Sequence, residues 1–308
     1  MNIASIDTGT NTVLMLVAEV LPGGKLRVIK EFHNMPRIGE GVFRTGEIRE
    51  DKIRAMIDIY TQYKGAAEQY DVEKIVACGT NVFRIARNGN DVVARVKEVT
   101  GIEMEIIPGE IEAECAFLGA TADFDRTQTI AVIDIGGGST EITCKKGDDL
   151  IFQKSFSTGV VTLREHLVDS DRLTEKNIYS LQEHCRDFFG ELKYLQGPSN
   201  AAISIAGTPT TLISIGKGLT AFDAEEIHKE FLSLEMIDTV LLGFRGVPFA
   251  EYSRYGKIIN GREDLMGAGA VILSTVLEYL GLRGTYVSVT GLRYGLILRY
   301  LANSKTGL

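Results

Sequence analysis

No P-loop is present: G-x-x-x-x-G-K-[ST] does not occur, and the glycine-rich turns lead into apolar, strand-like segments rather than helices. A dinucleotide fingerprint is missing too, because Gly136-Gly137-Gly138 lacks the G-x-G-x-x-G spacing. Cys78, Cys115, Cys144 and Cys185 are scattered with no C-x-x-C pair, which fits reduced core cysteines better than disulfides or zinc ligands. His33, His166, His184 and His228 stand at no metal-ligand spacing such as H-E-x-x-H. No uncharged apolar run reaches the length of a membrane helix, so no membrane partner is expected. Asp7 falls inside the opening apolar segment, so a signal peptide is not expected and a cytoplasmic protein is. The net charge of −8 argues against a nucleic-acid partner, which calls for a basic face.

What the chain does have is one motif twice. An apolar run ends in Asp, a Gly-rich turn with hydroxyls follows, and a second apolar run begins. The first copy is Ile3-Ala4-Ser5-Ile6-Asp7-Thr8-Gly9-Thr10-Asn11-Thr12, continuing into Val13–Val17. The second is Ala131-Val132-Ile133-Asp134-Ile135-Gly136-Gly137-Gly138-Ser139-Thr140-Glu141, continuing into Ile142 and Thr143. Each reads as a β-hairpin. Glycines at the turn let bare N–H groups approach an anion, and the Asp closing the first strand suits a hydrated Mg²⁺ or an oriented water. Two such hairpins facing each other would clamp a phosphate chain. An acidic protein sits awkwardly with a polyanionic ligand unless positive charge is local, from Mg²⁺ and a few arginines.

With 308 residues, 44% apolar and 24% charged, the chain has the length and composition for two globular domains. Periodicity predicts helices over 51–70, 91–99 and 110–118, with strands at 26–32, 74–78 and 102–107. The second half predicts strands at 129–134, 140–145, 150–155, 201–206 and 285–289. Its helices are expected over 160–168, 174–195, 209–217, 232–243, 264–280 and 291–302. The halves start alike, which reads as a fold-level duplication. The expectation is therefore an α/β protein with an N-terminal lobe over 1–121 and a C-terminal lobe over 122–308, the site lying in a cleft between them.

The paired Asp-Gly hairpins resemble the phosphate motifs of the actin, Hsp70 and sugar-kinase superfamily. Within it, the chain is most similar to the exopolyphosphatase and guanosine pentaphosphate phosphohydrolase family. Asp7-Thr8-Gly9-Thr10-Asn11-Thr12 follows that family's D-x-G-S-N-S with Thr for both Ser, and residues 132–141 match its longest motif unchanged. Gly79-Thr80-Asn81-Val82-Phe83-Arg84 resembles its G-T-x-x-x-R segment, and Gly109-Glu110-Ile111-Glu112-Ala113 its S-G-x-E-E-A segment. Ile205-Ala206-Gly207-Thr208 and Thr290-Gly291-Leu292-Arg293-Tyr294-Gly295 resemble later turns. The resemblance implies a two-lobed actin-like (ribonuclease H-like) ATPase fold with mixed sheets. It also implies a hydrolase that releases terminal phosphate from inorganic polyphosphate, guanosine pentaphosphate or both.

Carried over residue by residue, the resemblance puts the catalytic carboxylate at Glu112. Asp134 is expected to position metal or water, with Asp7 serving the same end from the other lobe and Mg²⁺ or another divalent cation as cofactor. Arg84 would offset charge on the transferring phosphoryl group. Thr10, Asn11, Gly136, Gly137, Gly138, Ser139, Gly207 and Thr208 are the expected phosphate contacts, and Arg293 is a weaker candidate. Members of that family often form homodimers, so a homodimer is an expectation of the resemblance alone. Two residues depart from the pattern: Ile111 replaces the first of two adjacent glutamates, and Glu114 stands where Arg is common. The chain also stops at 308, where longer members add a helical domain, so it resembles the compact forms. Two other readings stay open: a phosphotransferase using the same clamps with Ala206-Gly207-Thr208 on the adenosine side, and a non-catalytic nucleotide or alarmone sensor.

Overall fold

Strands β1 (Asn2–Thr8) and β2 (Val13–Val20) put buried apolar side chains on both faces. Ala4, Ile6, Met15 and Val17 enter one buried cluster, whereas Ile3, Leu16 and Ala18 enter another on the opposite side. The period of two between the sets is the pleat of the strand. The computed structural model describes residues 1–197 and 201–305, with side-chain placement through 304. They fall into two units, Met1–Ala122 with Thr290–Leu308, and Asp123–Val289.

In the first unit β3 (Leu26–Asn34) completes an antiparallel meander. After α1 (Val42–Thr45) and α2 (Glu50–Gln69), β4 (Val72–Gly79) pairs parallel to β1. Helices α3 (Asn81–Ile85) and α4 (Gly89–Thr100) lead to β5 (Met104–Ile106), and α5 (Gly109–Ala120) follows. The sheet runs β3-β2-β1-β4-β5. Ile53, Met56, Tyr60 and Tyr63 of α2 are buried, as their helical spacing predicts. Tyr60 also reaches the end of β1, its hydroxyl 2.6 Å from Thr8 Oγ1.

The second unit repeats the plan. Strands β6 (Thr129–Ile135), β7 (Thr140–Lys146) and β8 (Asp149–Phe156) form the meander. Helices α6 (Val160–Leu167) and α7 (Glu175–Phe188) precede β9 (Ala201–Ile205), which pairs parallel to β6. Then come α8 (Gly207–Gly216), α9 (Ala224–Ile227), β10 (Phe231–Ser233), α10 (Leu234–Phe244), α11 (Met266–Leu280) and β11 (Gly284–Val287). This sheet runs β8-β7-β6-β9-β11-β10, so its first five strands repeat the order of the other sheet. Each unit is thus a mixed α/β layer whose sheet is opened by an antiparallel hairpin.

The last helix, α12 (Leu292–Lys305), packs on α5 and β1 and so belongs to the first unit. The sequence reading had placed all of 122–308 in the second lobe. Sequence order does not report that Ile297 joins Ile3, Leu16 and Ala18 in one buried cluster. Two element boundaries differ as well. The helix expected over 174–195 ends at Phe188 and continues as a 3₁₀ stretch, Gly190–Leu195, after Gly190 interrupts it. The helix expected from 232 begins at Leu234, because Phe231–Ser233 pairs antiparallel with β11 and Ser233 caps the helix by accepting from Met236 N–H.

Candidate active site

Each hairpin turn is braced by its own surroundings. In the first, Gly9 N–H donates to Thr12 O at 2.9 Å. The loop from Arg37 to Gly39 lies against it, with Gly39 N–H donating to Thr10 O at 2.8 Å and Arg37 N–H to Asn11 O at 3.1 Å. A Cβ at Gly39 would stand 2.2 Å from Thr10 Cγ2, so a side chain there would force Thr10 to move. In the second hairpin Gly136 N–H donates to Ser139 O at 2.9 Å. The first turn of α6 returns its N–H groups to this hairpin: Val160 donates to Gly136 O and Val161 to Gly137 O. A Cβ at Gly159 would meet those backbone atoms at 2.6 Å.

Around the first hairpin a charged group assembles within the first unit. Glu112, in the first turn of α5, is only 6% exposed. Arg84 Nη1 donates to its Oε2 at 2.7 Å and to Ile107 O at 2.9 Å, and the Thr80 hydroxyl hydrogen-bonds the same carboxylate. Burial lifts the Glu112 pKa, against the opposing pull of Arg84 and Thr80. Asp7, at the end of β1, is pushed up to about 7 by burial and by the negative charge of Glu112, with Arg293 pulling the other way. Arg293 is held at both ends, its carbonyl accepting from Ser5 Oγ at 2.8 Å and its Nη1 lying 3.2 Å from Glu31. The structure therefore brings Asp7, Arg84 and Glu112 together, with Thr80 as a partner that sequence reasoning missed. The G-T-x-x-x-R segment was its signal, since Thr80 stands just before α3 and Arg84 one turn into it.

The departures at Ile111 and Glu114 acquire a physical reading. Ile111 packs on the cluster of Cys78, Ile107, Cys115, Leu292 and Leu296, while Glu114 faces Arg299 of α12 at 3.6 Å. Both serve the α5–α12 contact.

In the second unit Asp134 is 8% exposed and stands opposite Glu141 in the β6–β7 register. Glu141 is buried and accepts from Ser155 Oγ at 2.6 Å, a second carboxylate that the sequence reading did not single out beyond its motif. Ser139 is buried in the turn. Gly207 and Thr208 open α8 after Ala206, which is held at φ 72°, a conformation costly for a side-chain-bearing residue. Arg262 Nη1 lies across that helix start, donating to Gly207 O at 3.1 Å. Burial lowers the Arg262 pKa.

The profile of the Ppx/GppA phosphatase family matches residues 16–304. The chain belongs to the Ppx/GppA phosphatase family. As a Ppx/GppA protein it is 27% identical over 290 residues to exopolyphosphatase 2 of Mycobacterium tuberculosis, covering 90% of each chain. It is 28% identical over 313 residues to a bifunctional 3-dehydroquinate synthase/phosphatase of Fusobacterium nucleatum. That match covers 97% of this chain but only 46% of the relative's length. The crystal structure of the Aquifex aeolicus Ppx/GppA family member superposes with a TM-score of 0.83 at 29% identity, covering 99% of this chain and 98% of that one. Membership places the chain among hydrolases.

Proposed function

We propose that this chain removes the terminal phosphate of a phosphoanhydride, in inorganic polyphosphate or guanosine pentaphosphate, by water that Glu112 activates. The observation that carries this reading is Glu112 itself: a buried carboxylate with a raised pKa, aimed by Arg84 and Thr80. A carboxylate lifted toward neutrality takes a proton from water more readily at neutral pH than an ordinary one. As the water oxygen attacks phosphorus, its proton passes to Glu112. The P–O bond to the rest of the chain breaks, leaving orthophosphate and a substrate one phosphate shorter. Arg84 holds the base in place and tempers its charge beside an anionic substrate. Thr10, Asn11 and Ser139, the N–H groups of Gly137 and Gly138, and Gly207 with Thr208 are the proposed donors to phosphate oxygens, while Gly136, whose N–H is taken by Ser139 O, shapes the turn.

Asp7 in the first unit and Asp134 in the second are each a carboxylate of the kind that would ligate a divalent cation, Mg²⁺ in this proposal. Such an ion supplies a Lewis acid that neutralises phosphate oxygens. Carboxylate oxygens are the donors Mg²⁺ takes, usually one or two from the protein with water and phosphate oxygens completing the shell. Among the described residues no group of three or more ligating side chains occurs. Asp7, with a pKa near 7, is a carboxylate whose ionised form would gain from a cation. The test is phosphate release from polyphosphate, guanosine pentaphosphate and ATP, each with Mg²⁺ and with excess chelator. Release from either of the first two, lost in chelator, is expected. Full activity in chelator removes the cation from the account. Binding without release, or transfer from ATP to an acceptor, overturns the hydrolase reading in favour of a sensor or a kinase.

A further inference from the structure

Asn81 begins α3, between Thr80 and the residues leading to Arg84, and nothing above gives it a role. Its side chain is 6% exposed, and its Nδ2 is fully buried with no hydrogen-bond partner among the described residues. A buried amide N–H left unpaired is expensive, and folded proteins rarely keep one without a reason. Its location supplies the reason. Residues three apart on a helix share a face, and three residues on from Asn81 is Arg84, whose guanidinium sits on Glu112. On the other side Thr80 N–H donates to Thr8 O at 3.1 Å, fastening the start of α3 to the first hairpin. In that hairpin Asn11 Oδ1 is likewise buried and unpartnered. The group around Asp7 and Glu112 thus contains an unused donor and an unused acceptor.

We propose that Asn81 is a substrate-binding residue whose Nδ2–H donates to an oxygen of a condensed phosphate chain. The inference rests on the hydrolase reading and extends it to a residue outside the expected contacts. Phosphate oxygens only accept, so an N–H matches them where a carboxylate would not. Arg84 Nη1 already serves Glu112 and Ile107 O, and the Asn81 amide adds a neutral donor on the same helix face. A donor unsatisfied in the free protein and satisfied in the complex strengthens binding without adding charge to the site.

The experiment compares Asn81→Ala, Asn81→Ser and Asn81→Asp in a Glu112→Gln background that slows turnover, titrating inorganic tripolyphosphate by calorimetry in the presence of Mg²⁺. Kinetics on polyphosphate are measured with Glu112 intact, and melting is measured without ligand. Loss of one hydrogen bond to a charged group corresponds to roughly tenfold or more in affinity. Asn81→Ala is expected to bind tripolyphosphate at least about tenfold more weakly, raising KM more than it lowers kcat. Without ligand it should melt at or above the parent, because an unpaired polar group is gone. Asn81→Ser should recover part of the affinity, and Asn81→Asp should bind most weakly of all.

Equal binding by Asn81→Ala and parent overturns the proposal while leaving the hydrolase reading standing. So does a variant that melts well below the parent with binding unchanged, which marks a structural water bridge. Tightest binding by Asn81→Asp overturns it too, since the oxygen side of the amide would then be the working one. If the parent itself neither binds tripolyphosphate nor releases phosphate, the hydrolase reading fails and this inference falls with it.

Discussion

Asp7 is a carboxylate kept where its charge is costly. Its pKa of about 7, against 3.8 for a free side chain, means the folded protein holds the proton more tightly than the unfolded chain does. Below the unfolded value both states are protonated and the residue is neutral in its effect. Between the two values the unfolded chain ionises first, so stability falls as pH rises, and above about 7 the penalty is fully present. In metal-free protein Asp7→Asn is therefore expected to melt higher than the parent at about pH 8, with the difference vanishing near pH 4. A variant that melts lower than the parent at the alkaline end contradicts this. Added Mg²⁺ should narrow the gap by stabilising the parent alone. At this scale the sequence was informative where motifs were long. Asp7, Arg84 and Glu112 were all legible from their segments, and the structure gathers them in one unit. Thr80 as a partner of Glu112, and the unpaired amide of Asn81, were not, because burial and hydrogen-bond bookkeeping depend on what packs from elsewhere in the chain.

Helices α5 and α12 touch backbone to backbone. A Cβ at Gly295 would lie 1.7 Å from Cys115 O, and one at Gly119 would lie 2.0 Å from Gly291 O. Either helix must move to accept a methyl group, and α5 carries Glu112 in its first turn. Overpacking of this kind typically costs about 1–3 kcal/mol. Gly295→Ala is expected to lower the denaturation midpoint accordingly and to reduce kcat by displacing the base; an unchanged midpoint would show that the contact yields freely. The glycines of Thr290-Gly291-Leu292-Arg293-Tyr294-Gly295 were visible in the sequence, but nothing local there says which helix they meet. The short strand Phe231–Ser233 was missed for a similar reason: three residues become a strand only because β11 offers an edge. By contrast α2 and the two hairpins carry their period plainly, and their structures follow it.

Across the whole molecule, the repeated strand–Asp–Gly hairpin foretold two sheets of like order, and the topology has them. It did not foretell that the chain returns to its first unit at Thr290. Ending the chain at Val289 would strip Ile297 from Ile3, Leu16 and Ala18, and Leu292 with Leu296 from Cys78, Ile107 and Cys115. Hydrogen exchange on such a truncation is expected to show protection lost in β1, β2 and α5 while β6 and β9 remain protected. Uniform loss in both sheets would instead mean the two units share one cooperative fold. The account as a whole turns on Glu112, whose burial and ion pair set it apart from a surface charge. The most direct measurement is steady-state phosphate release from polyphosphate with Mg²⁺ by the parent and by Glu112→Gln. That substitution keeps shape and hydrogen-bonding reach but removes the base. Loss of a general base costs about 10²–10⁴-fold in rate, so kcat should fall by that factor with KM little changed. Turnover by Glu112→Gln at the parent rate would contradict the assignment of the base.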